Sequence, residues 1–155
     1  MKRVIIHWTA GPHTPTNEDK AHYHRIIDGA GKVHNGKWPI SANEKPVKGQ
    51  YAAHTLNCNT GSIGIAVAAM AGAQERPFIA GAHPITPAQV MALVALTRDL
   101  CRGFLPGEPA PDVIVCVVDA TNLRLHLRFA LEVRELGKPM ILAINMADVA
   151  RRRGI

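Results

Sequence analysis

The chain has 155 residues, of which 47% are hydrophobic and 19% charged. That is enough to bury the core of one domain, or of one small domain plus a fragment, and too apolar for extended disorder. The formal net charge of +6 at pH 7 favours anionic partners such as cell-wall polymers; with no basic stripe interleaved with aromatics, nucleic acid is not expected.

No apolar run reaches the roughly 18–20 residues of a membrane span, and the apolar stretch after Met1-Lys2-Arg3 is too short for a signal peptide. No membrane partner and a cytoplasmic location are therefore expected. Cys58, Cys101 and Cys116 include no CxxC pair, so neither a zinc ribbon nor a disulfide framework is indicated. Histidine is unevenly placed. His7, His13, His22, His24, His34, His54 and His83 crowd the first 83 residues, leaving only His126 beyond.

Val4-Ile5-Ile6 predicts a short strand ending at His7, followed by a loop from Trp8 to Pro12. Asn17 to His22 suits a short helix. Tyr23-His24-Arg25-Ile26-Ile27 reads as a strand, Asp28-Gly29-Ala30-Gly31 as a turn and Lys32-Val33-His34 as the returning strand. Residues 35–50 form a polar loop, and Ser62 to Val67 is the best buried strand of this half. Thr86-Pro87-Ala88-Gln89 starts a helix, with Thr86 at the N-cap and Gln89 closing a capping box. Val90, Leu93, Leu96 and Leu100 follow at helical spacing, and Gly103 ends the element.

Residues 104–110 read as a linker: Gly103 to Pro111 holds three prolines and two glycines. The pattern then changes. Asp112 to Val118 is a continuous apolar strand of the kind found in parallel sheets. Thr121 or Asn122 can cap a helix with Leu123, Leu127 and Leu131 on one stripe and Phe129, Val133 and Leu136 beside it; Gly137 stops it. Met140 to Ile144 is a second apolar strand, completing a β-α-β unit. The expected fold is α/β: a mixed central sheet flanked by helices, with a Rossmann-like β-α-β unit at the C-terminus. Three segments are expected, 1–103, 104–110 and 111–155, the last able to complete the sheet of the first.

Val4-Ile-Ile-His7-Trp-Thr-Ala-Gly11, Tyr23-His-Arg-Ile-Ile27, Gly31-Lys-Val-His-Asn-Gly36, Ala53-His54, Asn59-Thr-Gly-Ser-Ile-Gly-Ile65 and Thr86-Pro-Ala-Gln89 stand in this order. Over residues 1–103 the chain thus resembles the zinc-dependent N-acetylmuramoyl-L-alanine amidases, the group that includes phage-type lysozymes and peptidoglycan-recognition proteins. The resemblance implies zinc as cofactor with His7 as a ligand. It also implies Tyr23 beside the metal, assisting the bound water or the tetrahedral intermediate, and peptidoglycan or muropeptides as partners. His54 could line the substrate groove or be an imidazole bonded within a loop. A catalytic zinc needs three protein ligands and an open position. The resemblance implies two further ligands after the helix begun by Thr86, yet no Gly-His-Arg strand end and no Cys-Pro-Gly stands there. Asp119 and Cys116 are the substitutes the sequence offers.

Pro111-Asp-Val-Ile-Val-Cys-Val-Val-Asp-Ala-Thr-Asn-Leu123, Leu136-Gly-Lys-Pro-Met-Ile-Leu-Ala-Ile-Asn-Met-Ala-Asp148 and Val149 to Ile155 follow. Residues 109–155 thereby resemble a fragment of the G domain of FeoB-type ferrous-iron transporters. The resemblance implies that Asn145 and Asp148 belong to a guanine-reading Asn-x-x-Asp motif. No GxxxxGK[ST] loop occurs anywhere in the chain, so nothing cradles phosphates. Asn145 and Asp148 read as relics, GTP is not an expected ligand, and GTP hydrolysis is rejected. Three readings stay open: a zinc amidase with two ligands to find, a non-catalytic peptidoglycan-binding module, and a chimera without activity. The edges that a spliced sheet leaves make self-association an expectation as well.

Overall fold

The computed structural model describes residues 3–75, 77–79, 81–103, 112–119, 127, 130–131, 133–135, 137–145 and 147–154. Arg3–Trp8 forms strand β1, Asn17–His22 helix α1, Arg25–Ile27 β2, Val33–Asn35 β3 and Ser62–Val67 β4. Gln74–Glu75 and Phe78–Ile79 pair as a minimal hairpin, β5 and β6; Pro87–Arg102 is α2. Ile114–Asp119 and Met140–Asn145 are β7 and β8, and Ala147–Arg153 is α3. Mixed α/β architecture is the result.

β4 is buried at all six positions because it is an inner strand. The sheet runs β1-β4-β2-β3, with β4 parallel to β1 and β2, and β2 antiparallel to β3. One face packs Val4, Ile63, Ile65 and Val67 against Leu93, Leu96 and Leu100 of α2. On the other, Ile26, Ala66 and Ala68 pack with Tyr23. The strand expected over 23–27 begins later, at Arg25. The Tyr23 N–H instead caps α1 at the Asp19 carbonyl (2.9 Å), and the His24 N–H reaches across to the Gly64 carbonyl (3.0 Å).

α2 shows how its first turn fixes the sheet. Thr86 and Gln89 form the capping box, and Gly103 ends the helix at φ 68° in the left-handed region. Gln89 is fully buried. Its Nε2 donates to the carbonyls of Ile27 (3.2 Å) and Ala68 (2.9 Å), while Oε1 accepts from the Thr86 N–H (3.0 Å). Gln89 therefore opens the buried face of the helix, and Val90, expected there from its spacing, is 40% exposed. Gln89→Ala takes the side-chain donor from the Ala68 carbonyl and the acceptor from the Thr86 amide, while the Ile27 carbonyl keeps the Ala68 N–H (2.8 Å). It is expected to destabilise the domain by roughly 2–4 kcal/mol, read as a lower urea midpoint at unchanged slope.

β7 and β8 pair in parallel as a ladder of their own, and β7 lies alongside β1. Residues 127, 130, 131, 133 and 134 are helical. Ala130 and Val133 face inward while Leu131, expected on the apolar stripe, is 58% exposed; Leu123, Phe129 and Leu136 lie outside the described residues. Cys101, from the last turn of α2, packs with Ile114, Val133 and Met140. An apolar cluster thus bridges the first half and the C-terminal strands. No described helix is long and apolar enough to cross a membrane.

Candidate functional site

Three residues distant in sequence meet at the C-terminal part of β1. The His7 ring lies 5.3 Å from the Tyr23 ring and 5.3 Å from the His54 ring, centroid to centroid. His7 Nε2 and His54 Nδ1 are 3.2 Å apart. The Thr55 hydroxyl closes the group, 2.9 Å from His54 Nδ1 and 3.4 Å from His7 Nε2. Thr55 has no counterpart among the candidates read from the sequence. Its only local signal is its place after His54 in a loop tied down by Asn59.

Each arm is positioned by identifiable bonds. His7 is carried by the β1–β4 ladder, opposite Ala66. Tyr23 sits between α1 and β2, where the helix ends. His54 and Thr55 hang on Asn59, whose Oδ1 accepts from both of their backbone N–H groups at 3.0 Å. The buried Asn43 side chain bonds both the N–H and the carbonyl of Ala52 and reaches the Asn59 carbonyl. That loop is accordingly over-determined rather than free. Beneath it Gly64 lets the His54 ring lie on β4: a Cβ at Gly64 would fall on that ring.

Burial sets the electrostatics. It draws His7 and His24 down to about 4, and His54, also facing His7 and His24, to about 3. All three imidazoles are neutral near pH 7, so they offer lone pairs rather than positive charge. Burial, with the Asp19 carboxylate as the second cause, raises the Tyr23 phenol above its ordinary value, leaving a protonated hydroxyl able to donate. An open cleft of about 320 Å³ adjoins the cluster at Tyr23, lined also by Thr9, Gly11, Thr16, Glu18, Asp19 and His22.

Four further histidines have structural employment. His24 is fully buried and its Nδ1 accepts from the Gly64 N–H (2.9 Å). His13 bonds the Pro84 carbonyl, His22 the Ala53 carbonyl, and His34 the Asp28 carboxylate. His126 lies outside the described residues, as does the Asp119 side chain. Cys116 packs with Ala130, Met140 and Leu142. Among the described residues, no three His, Cys, Asp or Glu side chains come together as metal ligands. They therefore do not assemble the three-ligand zinc set that the amidase resemblance implies, of which His7 would be the first member. Asn145 ends β8, and Asp148 is exposed on α3, paired with Arg152.

Residues 1–124 match the family profile of N-acetylmuramoyl-L-alanine amidase, Amidase_2. With the strand-borne histidine, the neighbouring tyrosine and the α/β sheet in place, the domain is of the amidase class. The chain belongs to the N-acetylmuramoyl-L-alanine amidase family. A shorter stretch points elsewhere. Over 44 residues the chain is 48% identical to the Fe(2+) transporter FeoB of Legionella pneumophila, covering 28% of this chain and 6% of the transporter. Over 55 residues it is 42% identical to the Fe(2+) transporter FeoB of Escherichia coli (strain K12), covering 36% and 7%. The chain thus spans less than a tenth of the length of these curated relatives. No solved structure matches the chain.

Proposed function

We propose that this chain is an amidase-fold module that binds muropeptides at the surface where His7, Tyr23 and His54 meet, without turning them over. The convergence of these residues beside a cleft large enough for a peptide-sized group carries the reading. In it His54 lines the groove, Tyr23 donates a hydrogen bond to a bound amide carbonyl, and His7 presents a neutral nitrogen. Hydrolysis by the family's zinc chemistry needs a donor set that the described residues do not bring to His7, which is why binding is preferred over turnover. The FeoB-like segment is read as a recombined graft that fills out the fold, with Asn145 and Asp148 as relics and no GTP bound. Three free cysteines, Cys58, Cys101 and Cys116, suit a reducing compartment, so we assign the domain to the cytoplasm and its ligand to soluble wall fragments.

The test is titration of a soluble muramoyl-peptide into the full chain in chelator, followed by Trp8 fluorescence, since Trp8 ends β1 and is half exposed. Saturable binding is expected, weakened roughly tenfold by His54→Ala or Tyr23→Phe through loss of one or two hydrogen bonds. Absence of binding overturns the proposal. Chromatographic release of the peptide from the muramoyl sugar, with metal restored, would instead establish an amidase.

A further inference from the structure

β8 runs Met-Ile-Leu-Ala-Ile-Asn, the apolar composition of a parallel strand with neighbours on both flanks. It has one such neighbour. β7 pairs along one flank, and among the described residues no backbone group bonds the other. Met140 and Leu142 turn inward and pack with Cys116 and Ala130. Ile144, further along the same face, is 55% exposed, and Ile141, on the opposite face, is 56% exposed. A helix laid on this sheet would cover one of these isoleucines and leave the other wet. A strand added at the edge covers part of both and supplies the main-chain bonds as well. Edge strands that stay alone carry a charge, a proline or a bulge; from Met140 to Asn145 there is neither charge nor proline, and the β7–β8 register runs unbroken.

We infer that β8 is the pairing edge for a second copy of this chain, the two β8 strands running antiparallel about a two-fold axis normal to the sheet. This locates the self-association expected from the sequence, and it is independent of the His7 cluster. In that arrangement each residue keeps its face, so opposite partners differ by an even number of positions. An axis at Leu142 or Ala143 then sets Ile144 of each copy against Met140 or Leu142 of the other. The chain carries a net charge of +6, yet pairing along β8 brings no like charges face to face. Lys138 of one copy arrives at the end of the strand where Asp148 stands in the other, whereas parallel strands would set the two Lys138 residues together. The pairing is also closed: each copy uses up its own edge, so assembly stops at the dimer.

The experiment is sedimentation of the full chain over a range of concentrations. A reversible monomer–dimer equilibrium is expected. Ile141→Lys and Ile144→Lys should each raise its dissociation constant at least roughly tenfold, since every substitution places two ammonium groups in one interface. Met91→Lys, exposed on α2, should leave it unchanged. Circular dichroism checks that the variants keep their fold. A monomer persisting at about 1 mM, the weak end of specific affinity, overturns the inference, as does a species that grows beyond two copies or a dimer indifferent to both β8 lysines. Amide hydrogen exchange reads the same contact without substitution. The β8 amides that point away from β7 should exchange more slowly as concentration rises; a dimer that leaves their exchange unchanged pairs elsewhere and also overturns the inference.

Discussion

Gly36→Ala is expected to destabilise the domain by roughly 3 kcal/mol or more and to disturb the site from a distance. A Cβ at Gly36 would land on the Tyr23 carbonyl oxygen and crowd the Lys20 carbonyl at 3.1 Å. These are backbone atoms at the close of α1 and cannot swing aside as a side-chain tip can. The Gly36 N–H also donates to the His24 carbonyl (2.9 Å), and the Lys37 N–H to the Lys20 carbonyl (2.6 Å). Separating the strands therefore breaks the clamp that holds Tyr23 between helix and sheet. Urea denaturation measures the loss, and the aromatic circular dichroism of Tyr23 should change with it. A midpoint within 0.5 kcal/mol of the parent's, the ordinary range for surface changes, would show that this close approach is not a constraint.

Acid should weaken the metal-free protein well before its carboxylates titrate. His7 and His24 are held near 4 and His54 near 3 in the folded chain, against about 6.5 when unfolded. Between these values the unfolded chain binds more protons, so stability rises with pH across the window. It is fully present above about 6.5, and falls as pH drops from there towards 4, where the buried imidazoles themselves charge. Between pH 7 and pH 5 a loss of roughly 3 kcal/mol is expected, the three rings sharing one cluster and titrating as a group. Urea midpoints taken in chelator across this range measure the slope. The double variant His7→Asn, His54→Asn should reduce it to the share that His24 keeps, and a flat parent profile would contradict the burial described.

Local chemistry made several elements readable in advance. α1, β4 and α2 are specified by caps and apolar spacing within a few residues of themselves, and Thr86 and Gln89 cap α2 as their sequence indicates. The motifs around His7, Tyr23 and His54 marked those residues individually, but their meeting depends on a parallel β1–β4 pairing that joins segments almost sixty residues apart. Thr55 had no periodicity or motif to single it out; its role arises only once Asn59 folds the loop back. Gln89 displaced Val90 from the buried face because its amide bonds the Ile27 and Ala68 carbonyls, a contact invisible in helical periodicity. β5 and β6 are too short to leave an alternation. α3 carries its signal in hindsight, the Asp148–Arg152 pair one turn apart.

The packing of Cys101 on Ile114, Val133 and Met140 has a bearing on how the two sheets are held to one another. One side of this contact is the last turn of α2, the other the β7–β8 pair and the helical turn carrying Val133, and the surfaces meet through small and apolar side chains alone. β7 lies alongside β1 without joining its ladder, so this junction asks for apolar side chains of fitting size rather than a shared register. Continuity of hydrogen-bonded ladder and continuity of hydrophobic packing are then separate properties, and one apolar contact can join two sheets that share no ladder.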